Sequence, residues 1–91
     1  MAYIGKAKVP AEWTSLETLL ETTFTSGKSY SLQVLAGSNV RFCNSTTLPS
    51  DPFDGENLKD LMQAIYSPDA GTLYVRNSLA SASFVVVSEL G

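Results

Sequence analysis

Three carboxylates lie close together in this chain, Asp51, Asp54 and Glu56, at and just beyond the end of the stretch NSTTLPSDPFD that begins at Asn44. Closely spaced acids can ligate a hard cation such as calcium through oxygen, or share a proton as an acid–base pair. Their spacing does not follow the alternating ligand order of an EF-hand loop. A proline-bearing loop in a small domain also offers no pocket to push two carboxyl pKa values apart. The plain reading of these residues is turn formers and helix caps. The chain has no histidine and one cysteine, so zinc, copper and haem sites lack their ligands and no metal or cofactor is expected. Cys43 follows Phe42 in an alternating apolar stretch, with no histidine anywhere to lower its pKa, and is expected as a small buried side chain. Trp13, Tyr30 and Tyr74 are the remaining candidates, since aromatic faces grouped in space can stack on a sugar ring. Catalysis is not expected.

These residues must be carried by a small scaffold. At 91 residues the chain is the size of one domain, 1–91, with residues 1–10 a candidate N-terminal arm. A hydrophobic share of 44% with 16% charged residues is a folding composition, and it leaves the surface to Ser, Thr, Asn and Gly. Such a surface suits packing against other subunits. The net charge is −3, and the cations Lys6, Lys8, Lys28, Arg41, Lys59 and Arg76 are scattered, whereas a phosphate-binding face needs them clustered. Nucleic acid is therefore not an expected partner. The opening MAYIGKAKVP lacks the apolar run of a signal peptide, and no segment has the length of a membrane span. A soluble protein made in a cytoplasm is expected. One cysteine excludes an intramolecular disulfide.

The strongest local signal is Lys28–Asn44, KSYSLQVLAGSNVRFCN. Tyr30, Leu32 and Val34 alternate with Ser31 and Gln33; Gly37, Ser38 and Asn39 supply turn chemistry; Val40 and Phe42 resume the alternation. The pattern predicts a β-hairpin. Upstream, Tyr3, Ile4, Ala7 and Val9 form a short strand or arm closed by Pro10. Thr14 and Glu17 fit a capping box, and Leu16, Leu19 and Leu20 give the buried stripe of a short helix. Downstream, Ser45–Asp54 reads as a loop, and Leu58, Leu61, Met62 and Ile65 have the spacing of a helix of about three turns. Pro68 ends it, residues 67–71 form a turn, and Thr72–Arg76 alternates again. The last strand spans Ser83–Ser88, and its run Phe84, Val85, Val86, Val87 is apolar on both faces. The fold class expected is mainly β, a small antiparallel sheet or β-sandwich with one or two short helices, with α+β as the alternative. The expected core is Trp13, Leu16, Leu20, Phe24, Tyr30, Leu32, Val34, Val40, Phe42, Leu61, Leu73, Val75, Phe84 and Val86.

The succession Trp13-Thr-Ser-Leu16, Phe24, Gly27-Lys-Ser-Tyr30-Ser-Leu-Gln-Val34, a Pro49 loop and Gly71-Thr-Leu-Tyr-Val-Arg76 resembles small structural proteins of tailed bacteriophages and prophages. The similarity runs from Trp13 to Val87. It implies a virion component of the capsid decoration or tail-associated type, assembled in the bacterial host cytoplasm, without catalysis. Its implied partners are further copies of itself and other virion proteins, with no small-molecule substrate. The alternative is a small soluble binding module, carbohydrate-binding or inhibitor-like, that uses exposed aromatic residues. A sheet has free edges unless it closes, and few charges guard the strands here, so self-association through the last strand and the arm Ala2–Val9 is expected. Tyr3, Tyr74 and Val85 are the interface residues expected from that reasoning.

Overall fold

The computed structural model describes residues 2–51, 53–68, 71–77 and 82–90. In chain order the elements are β1 (Ala2–Val9), β2 (Thr14–Ser15), α1 (Leu16–Leu20), β3 (Ser29–Val34), β4 (Asn39–Ser45), β5 (Glu56–Lys59), β6 (Gln63–Tyr66), β7 (Thr72–Asn77) and β8 (Ser83–Leu90). They form two antiparallel sheets, with strand orders β1-β8-β3-β6 and β2-β7-β4-β5. The fold is thus mainly β, a small sandwich with one short helix, as the alternation predicts. No helix among the described residues is long and apolar enough to cross a membrane.

Alternation in the sequence becomes the inner faces of the two sheets. Tyr30, Leu32 and Val34 of β3 and Val85 and Val87 of β8 are buried from one side, and Val40, Phe42, Leu73 and Val75 of β4 and β7 from the other. Ala7 and Val9 of β1, Leu58 of β5, Leu16 of α1 and Phe24 complete one apolar cluster. Trp13 and Leu20, expected in the core, are half-buried. Residues 2–9 pair along β8 of the same chain, with a bulge between Tyr3 and Gly5 that lets Ile4 pack on the core.

The predicted hairpin is corrected by this topology: both strands exist in the expected phase, but β3 and β4 lie in different sheets. In a hairpin their five apolar side chains would share one face with nothing over it. Crossing between sheets lets the two strands cover each other, at about 1.5–3 kcal/mol per buried large apolar side chain. The crossing at residues 35–38 has several of its polar groups met, although Asn39 Oδ1 just after it is buried without a partner among the described residues. Leu35 N–H donates to Phe84 O, Ser38 N–H to Leu35 O, and Gly37 N–H to a carboxylate oxygen of Asp60. The buried hydroxyls of Ser38 and Ser83 accept from Phe84 N–H and Asn39 N–H, and Ser83 Oγ donates to the Asn77 side chain.

The predicted helix at 58–65 is also corrected. Glu56–Lys59 pairs with Asn39–Phe42, Gln63–Tyr66 pairs with Tyr30–Gln33, and a second crossing joins them. Leu61 sits in that turn at φ 63°, exposed, so the helical spacing of Leu58, Leu61, Met62 and Ile65 marks no common face. Open pairing sites on β3 and β4 override a local helical pattern. The capping box does not form either. Thr14 is held in β2 against Val75, its hydroxyl donating to Glu12 O, while Glu17 accepts from Phe24 N–H. Ser15 is the N-cap of α1, without a side-chain bond, and the helix stops at Glu21 with φ 53°.

A further correction concerns the last strand. Val85 and Val87 face inward, and Phe84 and Val86 lie half-buried on the outer face, opposite to the expected phase. A run apolar on both faces leaves the phase open to tertiary choice, and Ser83 settles it, because its hydroxyl is needed inside at the crossing. The expected turn at 67–71 includes positions 69 and 70, which lie outside the described residues.

Leu32→Ala should lower stability by about 2–5 kcal/mol and Leu61→Ala by no more than about 0.5 kcal/mol in urea unfolding. Val85→Asp should abolish cooperative unfolding while Val86→Asp retains it. The reverse pair of results would restore the opposite strand phase.

Candidate functional site

The loop between β4 and β5 carries Asp51 and Asp54, which build it, while Glu56 opens β5 opposite Phe42. Asp51 accepts from Phe53 N–H at 2.8 Å, and Asp54 accepts from Asp51 N–H at 3.4 Å. Trp13 Nε1–H donates to Asp51 O at 3.0 Å, and Arg41 donates to Phe53 O at 2.8 Å and Gly55 O at 3.1 Å. The loop is therefore laid over the outer face of the second sheet, with the Phe53 ring 5.9 Å from the Arg41 guanidinium. Gly55 has φ 80°, and a Cβ there would collide with the Phe42 carbonyl, so only glycine lets the chain return so close to β4. Among the described residues, no group of three metal-ligating side chains converges.

Cys43 is on the outer face of β4, half-buried rather than in the core, and faces Tyr74 across the ladder. Burial, and then the negative charge of Asp54, push its thiol above the ordinary value. Such a thiol is a poor nucleophile at neutral pH. The three aromatic residues considered for stacking do not assemble. Tyr30 is buried, its hydroxyl accepting from Thr25 N–H at 2.7 Å and its ring 4.6 Å from Phe24, which in turn meets Tyr66 edge-on at 5.7 Å. Trp13 is committed to the loop. Tyr74 is half-buried beside α1, on the rim of an open polar groove lined by Glu17, Glu21 and three threonines of positions 18, 22 and 23.

What remains is surface, and the outer face of the first sheet is distinctive. Registers place Lys8 beside Phe84; Lys6 in a row with Val86, Gln33 and Gln63; Tyr3 in a row with Ser88, Ser31 and Ile65; and Leu90 beside Ser29. Among the described residues in these rows the charged ones are Lys6 and Lys8, with the Lys28–Glu89 ion pair at the margin beside Ser29 and Leu90, and Lys6 covers the Phe84 ring at 5.2 Å. Ile65 is 72% exposed and Tyr3 68%. Of the expected interface residues, Tyr3 lies here, Tyr74 lies on the other sheet, and Val85 is fully buried and offers no side chain to a partner. The last strand is also not an edge, being paired with β1 and β3 on its two sides. Beneath β6, a cleft of about 290 Å³ opens between the sheets, lined by Leu32, Phe42, Leu58, Ala64, Tyr66 and Leu73 among others.

Compared with protein-family models, with curated proteins and with solved structures, the chain matches none. The surface residues that sequence reasoning missed are Phe84, Val86, Ile65 and Leu90. The signal for Ile65 was present in QAIY, an uncharged stretch of strand-forming residues.

Alkylation of Cys43 should show a pH midpoint above that of a free cysteine, and Asp54→Asn should bring it part of the way down, since burial remains. A midpoint at or below the free-thiol value would contradict the placement of Cys43.

Proposed function

We propose that this chain is a non-catalytic structural protein of the tailed-phage virion type, present in many copies and bound to capsid or tail neighbours. The observation that carries the reading is the outer face of the first sheet. Tyr3, Phe84, Val86, Ile65 and Leu90 alternate there with uncharged Ser29, Ser31, Gln33, Gln63 and Ser88. A face of this kind combines apolar contact area with groups that hydrogen-bond without needing a countercharge, which is the composition of an interface core. The resemblance carried by Trp13–Val87 supports the same class of protein. Asp51 and Asp54 are engaged in building their loop, and the Cys43 thiol on the lining of the cleft is raised by burial, which favours binding over nucleophilic chemistry.

Mass spectrometry of particles released from the host that carries this gene should find the chain at many copies per particle. Purified chain should co-sediment with tailed-phage capsids or tails from the same genome, and Val86→Asp, which leaves the core intact, should weaken that binding at least about tenfold. Particles free of the chain, together with no co-sedimentation, would overturn the reading.

A further inference from the structure

We propose that copies of this chain assemble head to tail, with β1 of one copy pairing antiparallel to β6 of the next. The proposal rests on the multi-copy reading above and names the contact. β1 and β6 are the two edges of the same sheet. All three pairings inside it are antiparallel, so strand direction alternates across four strands. A second copy placed in the same orientation then brings its β6 antiparallel to β1, and the alternation continues without interruption.

The hydrogen-bonding groups match as well. Leu35 N–H points to Phe84 O, and Val34 N–H points to Met62 O. Alternation along the ladders therefore turns Leu32 and Tyr30 toward β6, and Ala7 and Gly5 toward β8. The backbone N–H and C=O groups of Lys6 and Lys8 on β1, and of Gln63 and Ile65 on β6, are left pointing outward. One register uses all of them: Lys6 opposite Ile65 of the next copy and Lys8 opposite its Gln63, giving about four backbone hydrogen bonds. The four side chains then share the outer face. On the inner face the same register sets Ala7 against Ala64, so that small residues meet, and Gly5 against Tyr66, whose ring stays packed on Phe24 of its own copy as Leu20 stays over Gly5.

Charge selects this contact over its rivals. Two β1 edges meeting about a two-fold axis would bring Lys6 and Lys8 of both copies onto one face. Two β6 edges meeting would leave the lysine-bearing β1 edges of both copies unpaired, and would bring together the two clefts beneath β6, each with Glu56 on its lining. β6 itself carries no charge, and it accepts the lysine-bearing β1 without repulsion.

The test uses one blocked edge per variant. Ile65→Pro and Lys6→Pro each remove an N–H that points away from the chain's own sheet, and thermal unfolding checks that each still folds. Gln63→Pro and Lys8→Pro form a second pair should either fail to fold. In sedimentation velocity the wild type should exceed a dimer, each blocked variant should be monomeric, and an equal mixture of the two should run at twice the chain mass. The inference is overturned by a wild type that stays monomeric at millimolar concentration, by a single variant that assembles alone, or by a mixture that stays monomeric while the wild type assembles. A monomeric wild type that still binds phage particles removes this contact and keeps the proposed function; assembly without particle binding does the opposite.

Discussion

Everything in this fold follows from the need of β3 and β4 to cover each other. Tyr30, Leu32 and Val34 on one side and Val40 and Phe42 on the other are joined by residues 35–39, and all five are buried. At about 1.5–3 kcal/mol for each large apolar side chain, their mutual burial outweighs the ladder a hairpin would offer, whose bonds contribute a net of about 0.5–1.5 kcal/mol each and are replaced by bonds to β8, β6, β7 and β5. The polar residues decide where the chain turns over. Ser38, Ser83 and Asp60 meet backbone groups that the crossing would otherwise leave without partners, and the turn at 60–62 stacks on it through Asp60 N–H to Ser38 O and Leu61 N–H to Val34 O.

The strand positions and inner faces from Tyr30 to Phe42 and from Leu73 to Val75 were legible, because period-two alternation is a local property. Pairing was not. Whether β3 meets β4 or crosses away depends on which strands wait elsewhere in the chain, and the turn residues Gly37, Ser38 and Asn39 serve a hairpin and a crossing equally well. The stretch 58–65 misled for a related reason: four apolar residues at helical spacing lost to two short strands that β3 and β4 were ready to pair. The last strand was placed correctly and phased wrongly, since Phe84 to Val87 is apolar throughout and only the neighbour Ser83 discriminates. Of the acids expected as turn formers or helix caps, Asp51 and Asp54 form the turn, Glu56 opens a strand and none caps a helix, and the loop's anchors, Trp13 and Arg41, lie far from it in sequence and leave no local mark.

The second crossing has a consequence for surface as well as core. It sends β6 to the edge of the first sheet and β5 to the edge of the second, so the side of the sandwich between them opens as an apolar cleft, whereas α1 closes the other side with Leu16, Leu19 and Leu20. The two ends of the first sheet are thus unlike: one lysine-bearing, one uncharged and apolar. Unlike ends favour heterologous contacts, which close into rings or extend as filaments according to the rotation between copies. That asymmetry links a packing requirement of the core to the many-copy role proposed for the chain.

The most direct test of this account is the set of backbone cross-strand NOEs at Leu32 and Gln33 in solution. Crossing strands predict contacts from β3 to Ala64 and Gln63 of β6 and to Val87 and Val86 of β8, with no backbone contact between β3 and β4. Backbone contacts joining Val34 to Val40 and Leu32 to Phe42 in hairpin register would contradict it.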